Sequence, residues 1–186
     1  PQVTVDLSLS NRAVDLIDEG YDVAFRVGQL TDSRLIARAL RPYQLVLCAA
    51  PSYLENKPTI SSPWDLIKHD CVGFGHASLH THWRFDGPDG AIDVPITSRL
   101  ISDHGEPLLC AALEGLGVML QPDELVAKHI ESGALVRLLS GYNVPPRPLH
   151  ILYAPDRRLT AKMRTFIDFA CEKFGINAHS PTAGAA

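Results

Sequence analysis

Short runs of apolar and polar residues along the chain predict strands that alternate with helices. Every second residue is apolar over residues 3–9, which predicts a strand that ends at Ser10-Asn11. Apolar residues at positions 14, 16 and 17 predict a short helix that ends at Gly20, and "DVAFRVG" predicts a second strand that ends at Gly28. This βαβ-like order favours a parallel sheet.

The next stretch predicts further strands and a proline-rich crossing. "RLIARALRPYQLVLCAAP" predicts two strands that are broken near Arg41-Pro42 and stop at Pro51. Prolines at positions 51, 58 and 63 indicate a loop-rich crossing with a short helix over residues 64–68. "CVGF" predicts a strand that ends at Gly75, and "WRF" and "AIDVPI" flank "DGPDG", which predicts a hairpin.

The second half continues in the same way. "PLLCAALEGLG" predicts a helix with Pro107 in its first turn, followed by a buried strand over residues 118–120 and a new helix from Asp123. "ALVRLL" predicts a strand, and the proline-rich "YNVPPRP" precedes the strand "LHILYA". A final amphipathic helix follows Pro155, with one apolar face formed by Met163, Phe166, Ile167 and Ala170.

The two proline-rich passages, near residues 49–51 and 141–148, predict two α/β lobes joined by two crossing strands. We expect residues 1–49 and 149–175 to form lobe I, residues 50–148 to form lobe II, and residues 176–186 to be a disordered tail. Each lobe is predicted to be a mixed sheet with flanking helices. Ligands of α/β sheets bind at strand C-termini, so a cleft between the lobes is the expected site.

Composition narrows the class of protein. The chain has 186 residues, of which 46% are hydrophobic and 20% charged, as in folded proteins. A net charge of -4 argues against direct binding to nucleic acid, and no apolar run is long enough to span a membrane. The chain also shows no secretory leader and begins as if cut from something longer. Four widely spaced cysteines predict buried, reduced side chains in a cytoplasmic protein: Cys48, Cys71, Cys110 and Cys171.

The sequence gives little indication of a catalytic or metal-binding site. "FGHASLHTHW" places His76, His80 and His82 close together, and imidazoles at such spacing can bind zinc. No acidic or thiol ligand lies beside them, so neither a metal nor another cofactor is predicted. The chain has no G-x-S-x-G elbow, no phosphate loop and no pairing of a nucleophile with a base, so no enzyme is predicted.

Four segments in order resemble one known family. They are "VDLIDEGYDVAFRVG", "LVLCAAPSYL", "ALEGLGVMLQPDELVA" with "SGALVRLL", and "PLHILYAPDRRLTAKMRTFIDFACEKF". From about Val3 to Phe174 the chain resembles the effector-binding domain of LysR-type transcriptional regulators, in the branch that carries D-x-A-x-R-x-G. The resemblance implies a two-lobed, periplasmic-binding-protein-like fold that forms homodimers, and homotetramers in full-length regulators.

The same resemblance implies what this stretch of sequence lacks. The family's N-terminal winged helix-turn-helix is absent, so DNA, and RNA polymerase as a further partner, would be reached only through a full-length regulator. The first strand and helix of the effector domain, which usually supply part of the ligand site, also have no counterpart before Pro1.

The resemblance and the strand ends together select candidate effector-binding residues. In the first lobe, Ser10 is expected to offer a hydroxyl, Gly28 to form a turn, and Arg26 either to face an acidic effector or to pair with Asp22 or Asp32. In the second lobe, we expect polar or cleft-lining contacts from Phe74, His76, Ser78, Asp103, His104, Gly105 and Gln121.

The helix start after Gly105 could hold a carboxylate through free N–H groups. In the alternative interpretation, a side chain of Asp103 or Glu106 accepts hydrogen bonds from those N–H groups and caps the helix. The helix start and Arg26 suggest an organic acid as the effector, with sugars and aromatic compounds as open alternatives. The effector is expected to bridge both lobes of a cytoplasmic sensor and to shift the population of lobe arrangements. The alternative function is a solute-binding protein of a transporter on the same fold, although the unpaired cysteines count against it.

Overall fold

A computed structural model describes residues 3–10, 15–30, 34–75, 79–155 and 159–176. The chain divides into two compact units. The first unit combines Pro1–Tyr43 with Arg147–Ala186, and the second unit is the continuous segment Gln44–Pro146.

The described residues form ten strands, four α-helices and one 3₁₀ helix. The strands are β1 (Ala24–Val27), β2 (Ile36–Tyr43), β3 (Leu45–Ala49), β4 (Asp70–Phe74), β5 (His82–Gly87), β6 (Gly90–Pro95), β7 (Thr97–Ser102), β8 (Val118–Pro122), β9 (Val136–Arg137) and β10 (Arg147–Tyr153). The helices are α1 (Pro51–Leu54), α2 (Gly105–Leu113), α3 (Asp123–Glu131) and α4 (Ala161–Phe174), and the 3₁₀ helix is Pro63–Lys68.

The first unit has a three-stranded sheet in the order β1-β10-β2, covered by α4. Both strand pairs are antiparallel, so the parallel pairing expected from the βαβ-like start was wrong for the described strands of this unit. Thr160 caps α4 by accepting a hydrogen bond from the N–H of Met163 at 3.4 Å. The sheet and helix bury one cluster, which consists of Leu40, Ile151, Tyr153, Ile167 and Ala170.

Two elements predicted near the start of the chain differ in the structure. Residues 3–10 are not a strand, and Val3, Val5, Leu7 and Leu9 are 56–75% exposed. Alternation favours a strand only where another strand accepts its hydrogen bonds, and none of the described strands pairs with this segment. Residues 16–20 form a turn rather than the predicted helix, because Asp15 Oδ1 accepts from the N–H of Ile17 at 2.9 Å and of Asp18 at 3.1 Å.

The second unit has a five-stranded mixed sheet in the order β7-β4-β8-β3-β9 and a separate hairpin of β5 and β6. Strand β4 runs parallel to β7 and β8, whereas β3 is antiparallel to β8 and β9. The hairpin was predicted correctly from its turn sequence. Helices α2 and α3 bury their apolar sides against one face of the sheet, in a core that contains Val46, Cys48, Val72, Leu108, Met119 and Val126.

The boundary between the units differs from the prediction. Residues 44–49 were assigned to lobe I, but β3 is fully buried inside the sheet of the second unit, where it pairs with β8 and β9. The break between β2 and β3 falls at Gln44 rather than at Arg41-Pro42. The predicted disordered tail lies outside the described residues, apart from Ile176.

The environments of the cysteines also differ in part from the prediction. Cys48 and Cys71 are buried, and burial raises the pKa of each thiol to about 12. Cys110 is exposed because it lies on the outward side of α2, and Cys171 is half-buried. Within the described ranges, no helix is both long and apolar enough to cross a membrane.

Candidate functional site

Three strand ends of the second unit meet at one edge of its sheet. Strands β4, β7 and β8 run in the same direction, so their last residues, Phe74, Ser102 and Pro122, lie along the same edge. Gln121 is the next-to-last residue of β8. Helix α2 begins three residues after Ser102. Strand C-termini beside a helix start are where α/β sheets bind ligands, so we call this edge with the start of α2 the candidate site.

Close contact between β4 and β7 continues past the strand ends because Gly75 has no side chain. The N–H of Gly75 donates to the carbonyl of Ser102 at 2.9 Å. A Cβ at Gly75 would collide with Oδ1 of Asp103. Glycine therefore lets the chain leave β4 directly against the carboxylate of Asp103.

The N-cap residue of α2 is held by the side chain of Ser102 rather than by a capping side chain of its own. His104 is the N-cap residue, and its N–H donates to Oγ of Ser102 at 3.1 Å. Its own side chain makes no capping hydrogen bond with the described residues. His104 and Asp103 are both exposed, while Gly105 is half-buried. The alternative that Asp103 or Glu106 caps this helix stays a prediction.

Gln121 is the buried polar residue of the candidate site. Only 2% of its surface is exposed, and it pairs with Val46 of β3. Its Nε2 has no hydrogen-bond partner in the described part of the chain. Its Oε1 lies 3.1 Å from where a Cβ of Gly105 would be placed.

The candidate residues of the first unit lie on and near β1. Arg26 is half-buried in β1 opposite His150 of β10. Gly28 has a φ of +100°, and its N–H donates to the carbonyl of Pro148 at 2.8 Å, so it lies at a bend directly after β1. Ser10 is exposed at the end of segment 3–10, which has no regular secondary structure. Ser10 and Arg26 both have interaction partners already, and Asp32, one suggested partner of Arg26, lies outside the described residues.

The histidine-rich segment is only partly described. His76 and Ser78 lie outside the described residues. His82 Nδ1 lies 3.1 Å from Oγ1 of Thr81, and His80 is half-buried beside Gly73. No group of three or more potential metal ligands comes together within the described ranges.

A groove of about 210 Å³ in the second unit was not predicted. It involves the beginning of β3 and the chain after β9, and its lining includes Leu45, Leu47, Phe85, Arg137, Leu139 and Tyr142. Two of its lining residues are joined by a hydrogen bond, in which Gln44 Nε2 donates to the carbonyl of Val144 at 2.6 Å. These contacts join residues 100 positions apart, so no local pattern could have indicated them.

Sequence reasoning also missed the role of Ser102. Its hydroxyl supports the N-cap residue of α2, and its carbonyl holds Gly75. Strand β7 was not predicted because its two apolar residues, Leu100 and Ile101, are adjacent, so its sequence shows no apolar–polar alternation. The serine directly before Asp103-His104-Gly105 was the available signal, since serine commonly precedes helix starts.

Comparison with known families and proteins places the chain among transcription regulators. The family described as the LysR substrate binding domain matches residues 1–175. The HTH-type transcriptional regulator PtxR of Pseudomonas aeruginosa is 32% identical over 175 residues, which cover 94% of this chain and 56% of PtxR. The HTH-type transcriptional activator TtdR of Escherichia coli is 31% identical over 170 residues, which cover 91% of this chain and 54% of TtdR. The chain thus spans about half the length of these relatives.

Solved structures agree with this placement. The full-length Vibrio cholerae virulence activator AphB, a member of the LTTR family, superposes with a TM-score of 0.80 at 31% identity, covering 91% of this chain and 57% of AphB. The regulatory domain of CrgA, a LysR-type transcriptional regulator from Neisseria meningitidis, superposes with a TM-score of 0.74 at 32% identity, covering 86% and 78%. The predicted α/β fold class of the periplasmic-binding-protein type is confirmed.

Proposed function

The chain belongs to the LysR substrate binding domain family and is a ligand-sensing regulatory domain of a LysR-type transcriptional regulator, and from this premise we propose which residues hold the ligand. In the second unit, a small-molecule effector binds at the candidate site. Its contacts there come from Phe74, Asp103, His104, Gly105 and Gln121, with His76 and Ser78 as further candidates.

The observation that supports this proposal most strongly is the meeting of three strand ends and one helix start at a single edge. The partial positive charge of the helix start and the buried amide of Gln121 both favour ligand oxygens. Phe74 supplies apolar surface, since it packs at the margin of the buried core. Such a combination of an apolar wall with a few directed polar groups is typical of small-molecule sites.

Ser10, Arg26 and Gly28 of the first unit are proposed as additional effector contacts. The guanidinium of Arg26 would favour an acidic effector. We predict that a single effector contacts the candidate residues of the first unit as well as those of the second unit. The Arg26→Ala variant tests this prediction directly.

Effector binding would act by shifting the population of domain conformations. A ligand changes such an equilibrium only by its differential affinity for the alternative conformations. We propose that a full-length cytoplasmic regulator transmits this shift through a homodimer or homotetramer to its winged helix-turn-helix, and so to DNA and RNA polymerase. The domain itself would catalyse no reaction. The relatives are transcriptional regulators, which argues against a transporter-linked solute-binding function.

A thermal-shift screen of metabolites on this chain tests the proposal. We expect at least one metabolite to raise the melting temperature, and His104→Ala and Arg26→Ala to reduce that rise. Cys110→Ser is the matched control, because Cys110 is exposed on the same helix as the candidate site but on its outward side. A metabolite whose effect is unchanged by both substitutions would show that the effector binds elsewhere.

A further inference from the structure

The side-chain amide of Gln121 occupies a position where an apolar side chain would be expected. Val46 and Cys48 of β3 pair with Gln121 and Met119 of β8, so all four side chains lie on the same face of the sheet. The other three belong to the core beneath α2 and α3. Gln121 is nevertheless 98% buried, with its Nε2 unpaired among the described residues.

An unpaired amide in such a position is costly. A carboxamide carries two N–H donors, and burying them without acceptors loses their hydrogen bonds to water. Most buried polar groups in folded proteins have partners, and the exceptions frequently belong to functional sites. Nothing in the packing of the core requires glutamine here, since methionine would occupy nearly the same volume.

The surroundings of this amide point to a ligand with an oxygen acceptor. Its Oε1 lies 3.1 Å from the Cβ position of Gly105, the first residue of the nine-residue helix α2. The N-terminal end of a helix carries partial positive charge. The amide of Gln121 therefore lies beside the helix start with its oxygen nearest to Gly105, and its two N–H donors would favour a carboxylate oxygen there once the amide turns.

The nearby acidic residues, Asp103 and Glu106, do not oppose the binding of a carboxylate at this position. Oδ1 of Asp103 lies against the position where a Cβ of Gly75 would be placed. Gly75 directly follows Phe74, so these two positions point to opposite faces of the sheet at the end of β4. Because Phe74 packs against the core on the α2 side, Asp103 lies toward the opposite face from Gln121. Glu106 is exposed, so water screens its charge.

We propose that Gln121 and the start of α2 form a carboxylate subsite, in which Nε2–H of Gln121 donates to an oxygen of an effector carboxylate. The inference rests on the proposed function and adds which groups of the second unit bind the effector carboxylate. The terminal torsion of glutamine is broad, so the amide can turn toward Gly105 without movement of β8. Gly105 is required because a Cβ there would lie 2.9 Å from Cδ2 of Leu125 and would leave less room for a carboxylate to reach the amide of Gln121.

Without a bound carboxylate, the unpaired donors of Gln121 should lower the stability of the chain. Gln121→Met removes the unpaired donors while keeping the volume, so it should raise the melting temperature by about 3–6 °C. Gln44→Met is the matched control, because Nε2 of Gln44 does have an acceptor, the carbonyl of Val144 at 2.6 Å. Its replacement should lower the melting temperature instead.

Acetate and acetamide are the probes for the ligand class. We expect sodium acetate to shift the side-chain NH₂ resonances of Gln121 in ¹H–¹⁵N spectra with saturation, and acetamide at equal concentration to cause no saturable shift. Gln121→Met and Gly105→Ala should each weaken acetate binding by about 10-fold or more, as followed at the backbone amides of α2. Gln44→Met should leave acetate binding unchanged.

Each result bears on the proposal. A lower melting temperature for Gln121→Met, no saturable shift with acetate, or an equal response to acetamide would overturn the carboxylate subsite. A metabolite that binds the chain without shifting Gln121 would overturn the subsite but leave the sensing function intact. Failure of every metabolite to bind would instead count against the proposed function, while the melting temperatures and the acetate titration would still decide on the subsite.

Discussion

The hydroxyl oxygen of Tyr53 lies 3.1 Å from Nδ1 of His69, and both side chains are buried in the second unit. The backbone N–H of Asp70 donates to the same hydroxyl oxygen at 2.9 Å, so His69 and Asp70 are both hydrogen-bond partners of this hydroxyl. Burial raises the pKa of Tyr53 to about 12, so the hydroxyl keeps its hydrogen at neutral pH. One hydroxyl thus joins the 3₁₀ helix, β4 and α1.

Tyr53→Phe should therefore destabilise the chain by about 1–3 kcal/mol, because it leaves the N–H of Asp70 and Nδ1 of His69 without a partner. Urea unfolding followed by circular dichroism measures this loss. The matched control is Tyr142→Phe, since the hydroxyl of Tyr142 has no hydrogen-bond partner among the described residues. Equal effects of the two substitutions would contradict the role given to the Tyr53 hydroxyl.

His69 makes stability depend on pH in a defined direction. Burial, and then the nearby charge of Lys57, lower the pKa of His69 below its ordinary value of 6.5. Below pH 6.5 the unfolded chain binds a proton at His69 more readily than the folded chain. The stabilisation is therefore complete above about pH 6.5 and is lost as pH falls toward the lowered pKa. Unfolding midpoints in urea at pH 7.5 and 5.5 should show this loss, and His69→Gln should show a smaller one. An equally steep decline in the variant would assign the pH effect to other groups.

Gly117 permits a close approach of two backbone segments. A Cβ at this position would collide with the carbonyl oxygen of Asp70 and lie 2.9 Å from its carbonyl carbon. Gly117→Ala should destabilise the chain by about 2 kcal/mol or more, since backbone atoms cannot move aside as a flexible side chain can. Gly141→Ala serves as control, because nothing lies within 4 Å of its Cβ position in the described structure. A change below about 0.5 kcal/mol for Gly117→Ala would refute the close contact.

The second unit should fold as a separate fragment. Gln44–Pro146 is one continuous segment, and its main buried core draws every residue from within that segment. We expect a fragment of residues 44–146 to unfold cooperatively in urea and to give dispersed amide resonances. A fragment without cooperative unfolding would mean that the second unit depends on the first for stability.

Local pattern predicted much of the fold because some signals need no distant partner. The hairpin turn between β5 and β6, the start of α3 at Asp123 and the apolar face of α4 are all encoded within one element. Residues 3–9 show the limit, since their alternation is that of a strand but hydrogen bonding in a sheet requires a neighbour. Strand β3 was placed in the wrong lobe for a similar reason, because its pairing with β8 joins residues more than 70 positions apart.

The candidate site was predictable as a set of positions but not as an arrangement. Phe74, Asp103 and Gln121 were selected because each follows or ends an apolar run. The contact of Gly75 with Asp103 and the missing hydrogen bond of Gln121 depend on how β4, β7 and α2 pack together. Spacing in the sequence carries no information on such tertiary contacts.

Hydrogen–deuterium exchange on adding a metabolite that raises the melting temperature tests the position of the effector site most directly. The account predicts slower exchange in peptides from the ends of β4 and β8 and from residues 102–109, which contain the start of α2. Cys110→Ser should leave this protection unchanged. Protection confined to residues 44–47 and 138–144, which line the separate groove, would contradict the account and place the ligand there instead.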